Sequence, residues 1–367
     1  MNGNGKPCNR LRTTLAFLPA TLLMLLPLAG VIHVLAQDEA GQVDVTTTDQ
    51  VAATYGVSNF AFHIFPPKTL AGQNTLAHNL GTAGILTRTS VGAAAATIPA
   101  VPAPGFYGED VTYLGGKVLK FTTSHPIYVN MDSCGGSVAS CWGDPKTFLT
   151  DLSNSNFIHL TDQYVGTTSN NRYPVGTAST ATIPLFGTNV VGLNDILAVV
   201  HAAAKIHGTG YSHVYHVFLP KSVDTCFPQP LISVCYSPDN PSTFGFCAYH
   251  GSTTFSDIGH VLVSVEPFQN VPVCAEPPPN PNGALIDSTN NSLSHELIES
   301  ITDPDPNLGL PNKRNGWIAV SSSVAFGNEI ADLCGILTSD PVVKLNGRKY
   351  QFQSEYSNRY HACAFGP

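Results

Sequence analysis

The amino-acid sequence predicts an α+β fold: a mixed sheet with helices, followed by a helix rich in ionisable residues, the whole stapled by disulfides. Three observations lead there. Two strand candidates, two helical segments and three further strand candidates succeed one another before residue 288, with no internal repeat. Ser288–Thr302 then reads as a helix that Pro304 stops. Eight cysteines (134, 141, 226, 235, 247, 274, 334 and 363) follow the N-terminal apolar run, which Cys8 precedes, and no CxxC spacing suggests that they ligate a metal. Nearest-neighbour pairing, 134–141, 226–235, 247–274 and 334–363, closes four short loops and is the expected connectivity.

The N-terminus reads as an export signal. Lys6, Arg10 and Arg12 precede an apolar run from Thr13 to Ala36, which ends in the triplet Val34-Leu35-Ala36 before Gln37. A run of this length could also serve as an uncleaved anchor, but Pro19, Pro27 and His33 interrupt it. The expected organisation is a signal over 1–36, an N-terminal extension with an Ala/Pro/Gly-rich linker over 37–105, and one domain over 106–367. Losing three basic residues takes the 17 of the full chain to 14, against 25 acidic ones, a formal charge of −11. That balance excludes nucleic acid and anionic lipid as partners, since both require clustered Lys and Arg.

Within the domain, Lys117–Phe121 and Pro126–Met131 are strand candidates separated by a turn. Asp144 caps, and Pro145 opens, a helix through Phe148 and Leu152. Asn194–His207 has the clearest helical period, with Ile196, Leu197, Val200, Ala203, Ala204 and Ile206 on a broad face and Gly208 as its stop. His213–Leu219, Phe244–Tyr249 and His260–Val265 are the next strands, and Cys274–Gly283 is a Pro/Asn/Gly loop. Val51–Leu86 has scattered apolar residues without a sustained period, and Ser90–Gly105 reads as linker.

The chemistry lies in Asn291-Ser-Leu-Ser-His-Glu-Leu-Ile-Glu-Ser-Ile-Thr-Asp-Pro304. Leu293, Leu297 and Ile301 make an apolar face, whereas His295 and Glu299, four apart, can converge on one divalent ion. Glu296, about 100° round the helix, is placed to orient and deprotonate a metal-bound water, as the Glu of HExxH does. Downstream, Glu329 and Asp332 share a face if that segment is helical; Glu329 is the expected third ligand and Asp332 its outer partner, holding a histidine. Zinc is the expected ion, with another divalent metal as the alternative.

The order HE-x-x-E-x-x-TDP, then Trp317, then Glu329-Ile-Ala-Asp-Leu-Cys334 resembles the EXORDIUM-like (phosphate-induced) family of plants and its bacterial relatives. Cys247-Ala-Tyr-His250-Gly, Tyr215–Pro220 followed by Cys226, and Gly115-Gly-Lys-Val carry the same resemblance, which covers roughly Gly115 to Pro367. It implies secretion into a wall-like space and a growth-related role without settled chemistry. The motif is also similar to a variant of the gluzincin metallopeptidases. That likeness implies a zincin-like mixed sheet before the motif helix, His295 and Glu329 as ligands, Glu296 as general base and Asp332 as outer partner. The departure is Glu299, which stands where gluzincins have a second histidine.

Two function classes follow. One is a secreted metal-dependent, peptidase-like hydrolase acting on a peptide substrate; the other is a non-catalytic extracellular protein that binds a cell-wall or matrix component, its ion or polar network structural. Asp303-Pro-Asp305-Pro-Asn307 alternates oxygen ligands like a calcium loop but lacks the Gly and Glu such loops need. His250 is placed to approach the site from a strand end, although a lone histidine reads as structural; His201 and His207 read as packing or solvent residues, and Asn290-Asn-Ser292 as a glycosylation sequon. No Gly-x-Ser-x-Gly or phosphate loop is present, which excludes serine-hydrolase and nucleotide chemistry. The mature N-terminus is expected at Gln37. Terminal sequencing of the exported protein checks this; an intact chain recovered in a membrane fraction overturns it.

Overall fold

The computed structural model describes residues 31–38, 41–48, 58–65, 67, 109–185, 187–226, 235–237, 244–306, 314–320, 328–335 and 340–367. Its centre is an eight-stranded mixed sheet. The strands are β1 (Val31–Asp38), β2 (Gly41–Thr48), β3 (Ser58–Phe65), β4 (Thr123–Val129), β5 (Ala178–Thr182), β6 (His213–Phe218), β7 (Ala248–Phe255) and β8 (Gly259–Glu266). They lie in the order β2-β1-β5-β4-β6-β8-β7-β3. The four central strands β5, β4, β6 and β8 are parallel neighbours. β7 and β3 add antiparallel pairs on one side, β1 and β2 on the other.

Parallel strands need cover on both faces, and the alternation of their side chains provides two cores. Ile127, Val129, Tyr215, Val217, Val261, Val263 and Val265 point to one side. There they meet the helix Leu193–His207, which presents Ile196, Leu197, Val200, Ala203 and Ala204. Tyr128, Val214, Phe218 and Leu262 point to the other side, against Leu293, Leu297 and Ile301 of the motif helix. That helix, called α3 below, spans Ala284–Thr302; α1 is Pro145–Ser153 and α2 is Leu193–His207. α1 begins as expected, Asp144 Oδ1 accepting from the Thr147 N–H at 3.0 Å. The motif helix after a mixed sheet, and the α+β class, are as the sequence predicts.

Several expectations shift. Ile206, placed on the apolar face of α2, is 40% exposed. Lys117–Phe121 is not a strand, because its backbone is used otherwise: the Leu119 N–H donates to Ile301 O at 2.8 Å, filling one of the carbonyls that the end of a helix leaves without a partner. β7 runs on to Phe255, beyond the expected Tyr249. β1, β2 and β3, which precede residue 106, are all hydrogen-bonded into the sheet. Cleavage after Ala36 falls inside β1 and would leave only Gln37 and Asp38 of that strand. The linker over 90–105 lies outside the described residues.

All four expected disulfides are present: Cys134–Cys141, Cys226–Cys235, Cys247–Cys274 and Cys334–Cys363. Among the described residues no helix is long and apolar enough to cross a membrane. Both features are compatible with an extracellular protein.

The sheet also buries a neutral histidine. His216 on β6 has Nδ1 at 2.7 Å from Ser264 Oγ and Nε2 at 3.1 Å from Ser124 Oγ. Burial, with the nearby His125 adding to it, holds the imidazole down to about 3. Between the ordinary histidine value and about 3 the unfolded chain therefore binds a proton that the folded chain does not, so this group's contribution to stability is lost as pH falls. The stability advantage of wild type over His216→Gln is expected to narrow from pH 7 to pH 4. Denaturant midpoints for both proteins across that range check it; a gap that stays constant overturns it.

Candidate metal centre

α3 is buried on all sides from Asp287 to Thr302, although it carries Ser288, Thr289, Asn290, Asn291, Ser292 and Ser294. Burying a helix this polar is costly wherever a side chain lacks a partner; Asn290 Oδ1, Asn291 Nδ2, Ser292 Oγ and Ser294 Oγ have none among the described residues, but others do. Ser288 Oγ donates to Ala284 O and accepts from the Glu276 N–H, while Asn291 Oδ1 accepts from the Gln353 N–H at 2.7 Å. Asn290 is 2% exposed, so a glycan on the sequon it begins would not fit this fold. On this helix His295 and Glu299 stand one turn apart, with Nε2 to Oε1 at 3.1 Å.

The sheet brings two more imidazoles under α3. Directly opposed residues on neighbouring strands share a face, and the register aligns His216, Ser264, His250 and His63 in a single row across β6, β8, β7 and β3. His250 and His63 are thus adjacent, with ring centroids 5.8 Å apart. The close approach of β3 to β7 depends on Gly251: a Cβ there would lie 2.1 Å from Ala61 O and 2.8 Å from Phe62 Cα. His250 Nδ1 is 3.0 Å from Glu296 Oε2 and 3.5 Å from Glu299 Oε2. His63 Nδ1 is 3.4 Å from Glu299 Oε2, and Phe65, two residues on, stacks on the ring of His295 at 3.9 Å.

The third component is a turn over residues 328–335, where the sequence suggested a helix. Asp332 closes it, Oδ2 accepting from the Glu329 N–H at 3.0 Å. The Asp332 N–H donates to Glu299 Oε1 at 3.3 Å, and Asp332 Oδ1 is 3.5 Å from His295 Nε2. Glu329 turns toward the strands: Oε1 lies 3.8 Å from His63 Nδ1, and Oε2 lies 3.8 Å from His250 Nε2.

Two groups of ligand atoms result, each lying within 4.8 Å of one another: His295, Glu299 and Asp332, and His63, His250 and Glu299. These buried groups could hold a metal ion. The hydrogen bonds around His295 fit that use. Gln353 Nε2 donates to Ala331 O at 2.8 Å, which turns Gln353 Oε1 toward His295 Nδ1 at 3.3 Å. Nδ1 therefore carries a proton, and Nε2 faces two carboxylates, Glu299 and Asp332. Either a second proton or a metal ion must lie between them, because a lone pair against anionic oxygen is repulsive. His295 Nε2, Glu299 Oε2, Glu329 Oε2 and Asp332 Oδ1 are all buried without a hydrogen bond.

The electrostatics carry the same tension. Burial pushes up the carboxyls of Glu296, Asp332 and, most strongly, Glu329, which Asp303 and Glu299 push further. Glu299 ends well below the usual carboxylate range: burial opposes its charge, but His295, His250 and His63 outweigh burial. Those histidines are correspondingly held up, His250 at about 10, against the effect of burial. Buried Glu266 and Glu355 are pushed well above the carboxylate range by burial.

Of the residues named from the sequence, His295, Glu296, Glu299 and Asp332 meet, and Glu329 joins them from the side of His63 and His250. Asp332, expected as an outer partner, stands at ligand distance, whereas Glu329 is outside the group that contains His295. His250 stands in the second of these groups, approaching from a strand. Sequence reasoning missed His63 entirely, although the run Phe60-Ala-Phe-His-Ile-Phe65 is strand-like and puts Ala61, His63 and Phe65 on one face. Asp305 is engaged elsewhere, accepting from Tyr211 Oη at 2.5 Å and lying 3.1 Å from His260 Nε2.

Chelation is expected to lower thermal stability. An ion that binds only the folded chain stabilises it by about 2.7 kcal/mol at a free concentration a hundred times its Kd. Scanning calorimetry with and without chelator reads the difference; an unchanged unfolding temperature in protein confirmed to have held metal contradicts the centre. Comparison of the chain with protein-family models, with curated proteins and with solved structures found no match, so its function is read from this site.

Proposed function

We propose that the chain is a secreted zinc-dependent hydrolase of the peptidase kind. The observation that supports it most is the setting of Glu296. Its Oε2 lies 3.0 Å from His250 Nδ1, and its Oε1 is buried without a hydrogen-bond partner beside the ligand groups. A carboxylate gripped at one oxygen and free at the other is arranged as a proton acceptor. His295 Nε2, Glu299 Oε1 and Asp332 Oδ1 would hold the ion; their separations of 3.1 and 3.5 Å from the imidazole nitrogen suit bonds of about 2.0–2.2 Å to zinc. When bound, such an ion supplies Lewis acidity, polarising a carbonyl oxygen and easing the deprotonation of water.

The chain's own residues do the rest. Glu296 orients the attacking water and takes its proton; burial raises its carboxyl, against the pull of His250 and His295. Gln353 fixes His295 so that Nε2, not Nδ1, meets the ion. One imidazole with two carboxylates is a more anionic set than two histidines with one carboxylate, and it also admits harder divalent ions.

Complete burial favours a second reading. His295, Glu296 and Glu299 are 0% exposed, and closed sites are the habit of structural metals. The chain would then be a non-catalytic extracellular protein, EXORDIUM-like, that binds a cell-wall or matrix partner. Glu296→Gln separates the two. For a hydrolase it keeps metal and stability while hydrolysis of a broad peptide library falls roughly 10²-fold or more; His295→Ala loses metal and activity together. Hydrolysis undiminished in Glu296→Gln removes that residue from the mechanism. Metal-loaded wild type that cleaves nothing favours the binding protein.

A further inference from the structure

We propose that the centre holds two divalent ions, with Glu299 bridging them through its two carboxylate oxygens. The first ion belongs to the group already described; the second would sit between His63 Nδ1, His250 Nδ1 and Glu299 Oε2. This rests on the single-ion reading and extends it.

The geometry divides Glu299 cleanly. Oε1 faces His295 Nε2 at 3.1 Å and accepts from the Asp332 N–H. Oε2 faces His63 Nδ1 at 3.4 Å and His250 Nδ1 at 3.5 Å, and has no hydrogen bond of its own. One ion cannot use both sets, but a bridging carboxylate spans two ions about 3.5–4 Å apart, as in two-metal hydrolytic sites.

Each imidazole of the second group is also braced on its far side, as ligating histidines are. His250 Nε2 is 3.2 Å from Asp303 O, an acceptor, so Nε2 keeps its proton and Nδ1 is the atom left for an ion. His63 Nε2 is 3.4 Å from Asp332 Oδ2, a carboxylate that in turn uses Oδ1 on the first group. The ion would take the place of the Nδ1 proton of His250, so Glu296 Oε2 would still face a cation at that edge. Glu329 Oε1, 3.8 Å from His63 Nδ1, stands where a further ligand to this second ion would be. The position of Glu329 away from His295 thereby acquires a reason.

Charge gives an independent argument. Glu296, Glu299, Glu329 and Asp332 are four buried carboxylates, and among the described residues no lysine or arginine pairs with any of them. Once the imidazoles ligate as neutral groups they no longer offset these carboxylates, and a second divalent ion would compensate charge that one ion leaves in the interior. Uncompensated buried charge is among the costliest features a fold can carry.

The test is metal stoichiometry of the full chain, loaded with zinc, desalted and measured by elemental mass spectrometry. Two ions per wild-type chain and one in His63→Ala, with unchanged circular dichroism, support the pair. One ion in wild type that survives His63→Ala overturns the second ion and leaves the single centre intact. One ion lost in His63→Ala but kept in His295→Ala overturns the pair and moves the single ion to the strands. No ion in wild type overturns both readings. Should His63→Ala fail to fold, manganese-loaded wild type gives the answer by electron paramagnetic resonance. A spectrum of two exchange-coupled ions supports the bridge, and one of isolated ions contradicts it.

Discussion

Glu299 is a carboxylate with no access to water, and its charge is tolerable only because three imidazoles surround it. His295 approaches from its own helix, His63 and His250 from the strands beneath, all within 3.1 to 3.5 Å of one oxygen or the other. Much of the architecture around the site maintains that arrangement. The sheet register lines up His63 with His250. Gly251 lets their strands close. The Asp332 turn delivers a backbone N–H to Glu299 Oε1 and a carboxylate to His295.

Two of the disulfides act at the same place. Cys247–Cys274 ties the residue before β7, which carries His250, to the loop that leads into α3. Cys334–Cys363 ties the Asp332 turn to the C-terminal hairpin. Each shortens the chain's freedom on one side of the cluster. A set of like charges held together in a low-dielectric interior tends to spread apart, and covalent ties resist that spreading without adding polar atoms that would themselves need partners.

The polar character of α3 belongs to the same physics. Its apolar stripe Leu293, Leu297 and Ile301 packs on the sheet, but the rest of the helix is also interior, so every remaining hydroxyl and amide becomes a question of partners. Asn291 Oδ1 and Gln353 show one solution: the Gln353 N–H donates to α3, its side-chain N–H to Ala331 O, and its carbonyl oxygen selects the tautomer of His295. A structural network thereby sets the chemistry of a ligand. The burial that makes such a network strong also makes the site closed, and this is why a catalytic and a structural ion remain the two readings that an assay of Glu296 separates.

Local and compositional features could be read from the order of residues alone. The α+β class, α1 with its Asp144 cap, the span of α2 and the motif helix with His295 and Glu299 on one face were legible, because helix period and capping are properties of neighbouring residues; the four cysteine pairs follow nearest-neighbour order, but spacing does not fix connectivity and the fold decides it. Tertiary structure decided what depends on register and burial. His63 lay in a stretch without sustained period, and only pairing of β3 with β7 sets it beside His250. Lys117–Phe121 has strand-forming residues, yet its backbone serves the end of α3. Glu329 and Asp332 are three apart on a helix or a turn alike; the turn, closed by Asp332 itself, sends one carboxylate to His295 and the other to the strands. Ligand sets of this kind join residues far apart in the chain, and no local pattern encodes which oxygen of Glu299 each imidazole will face.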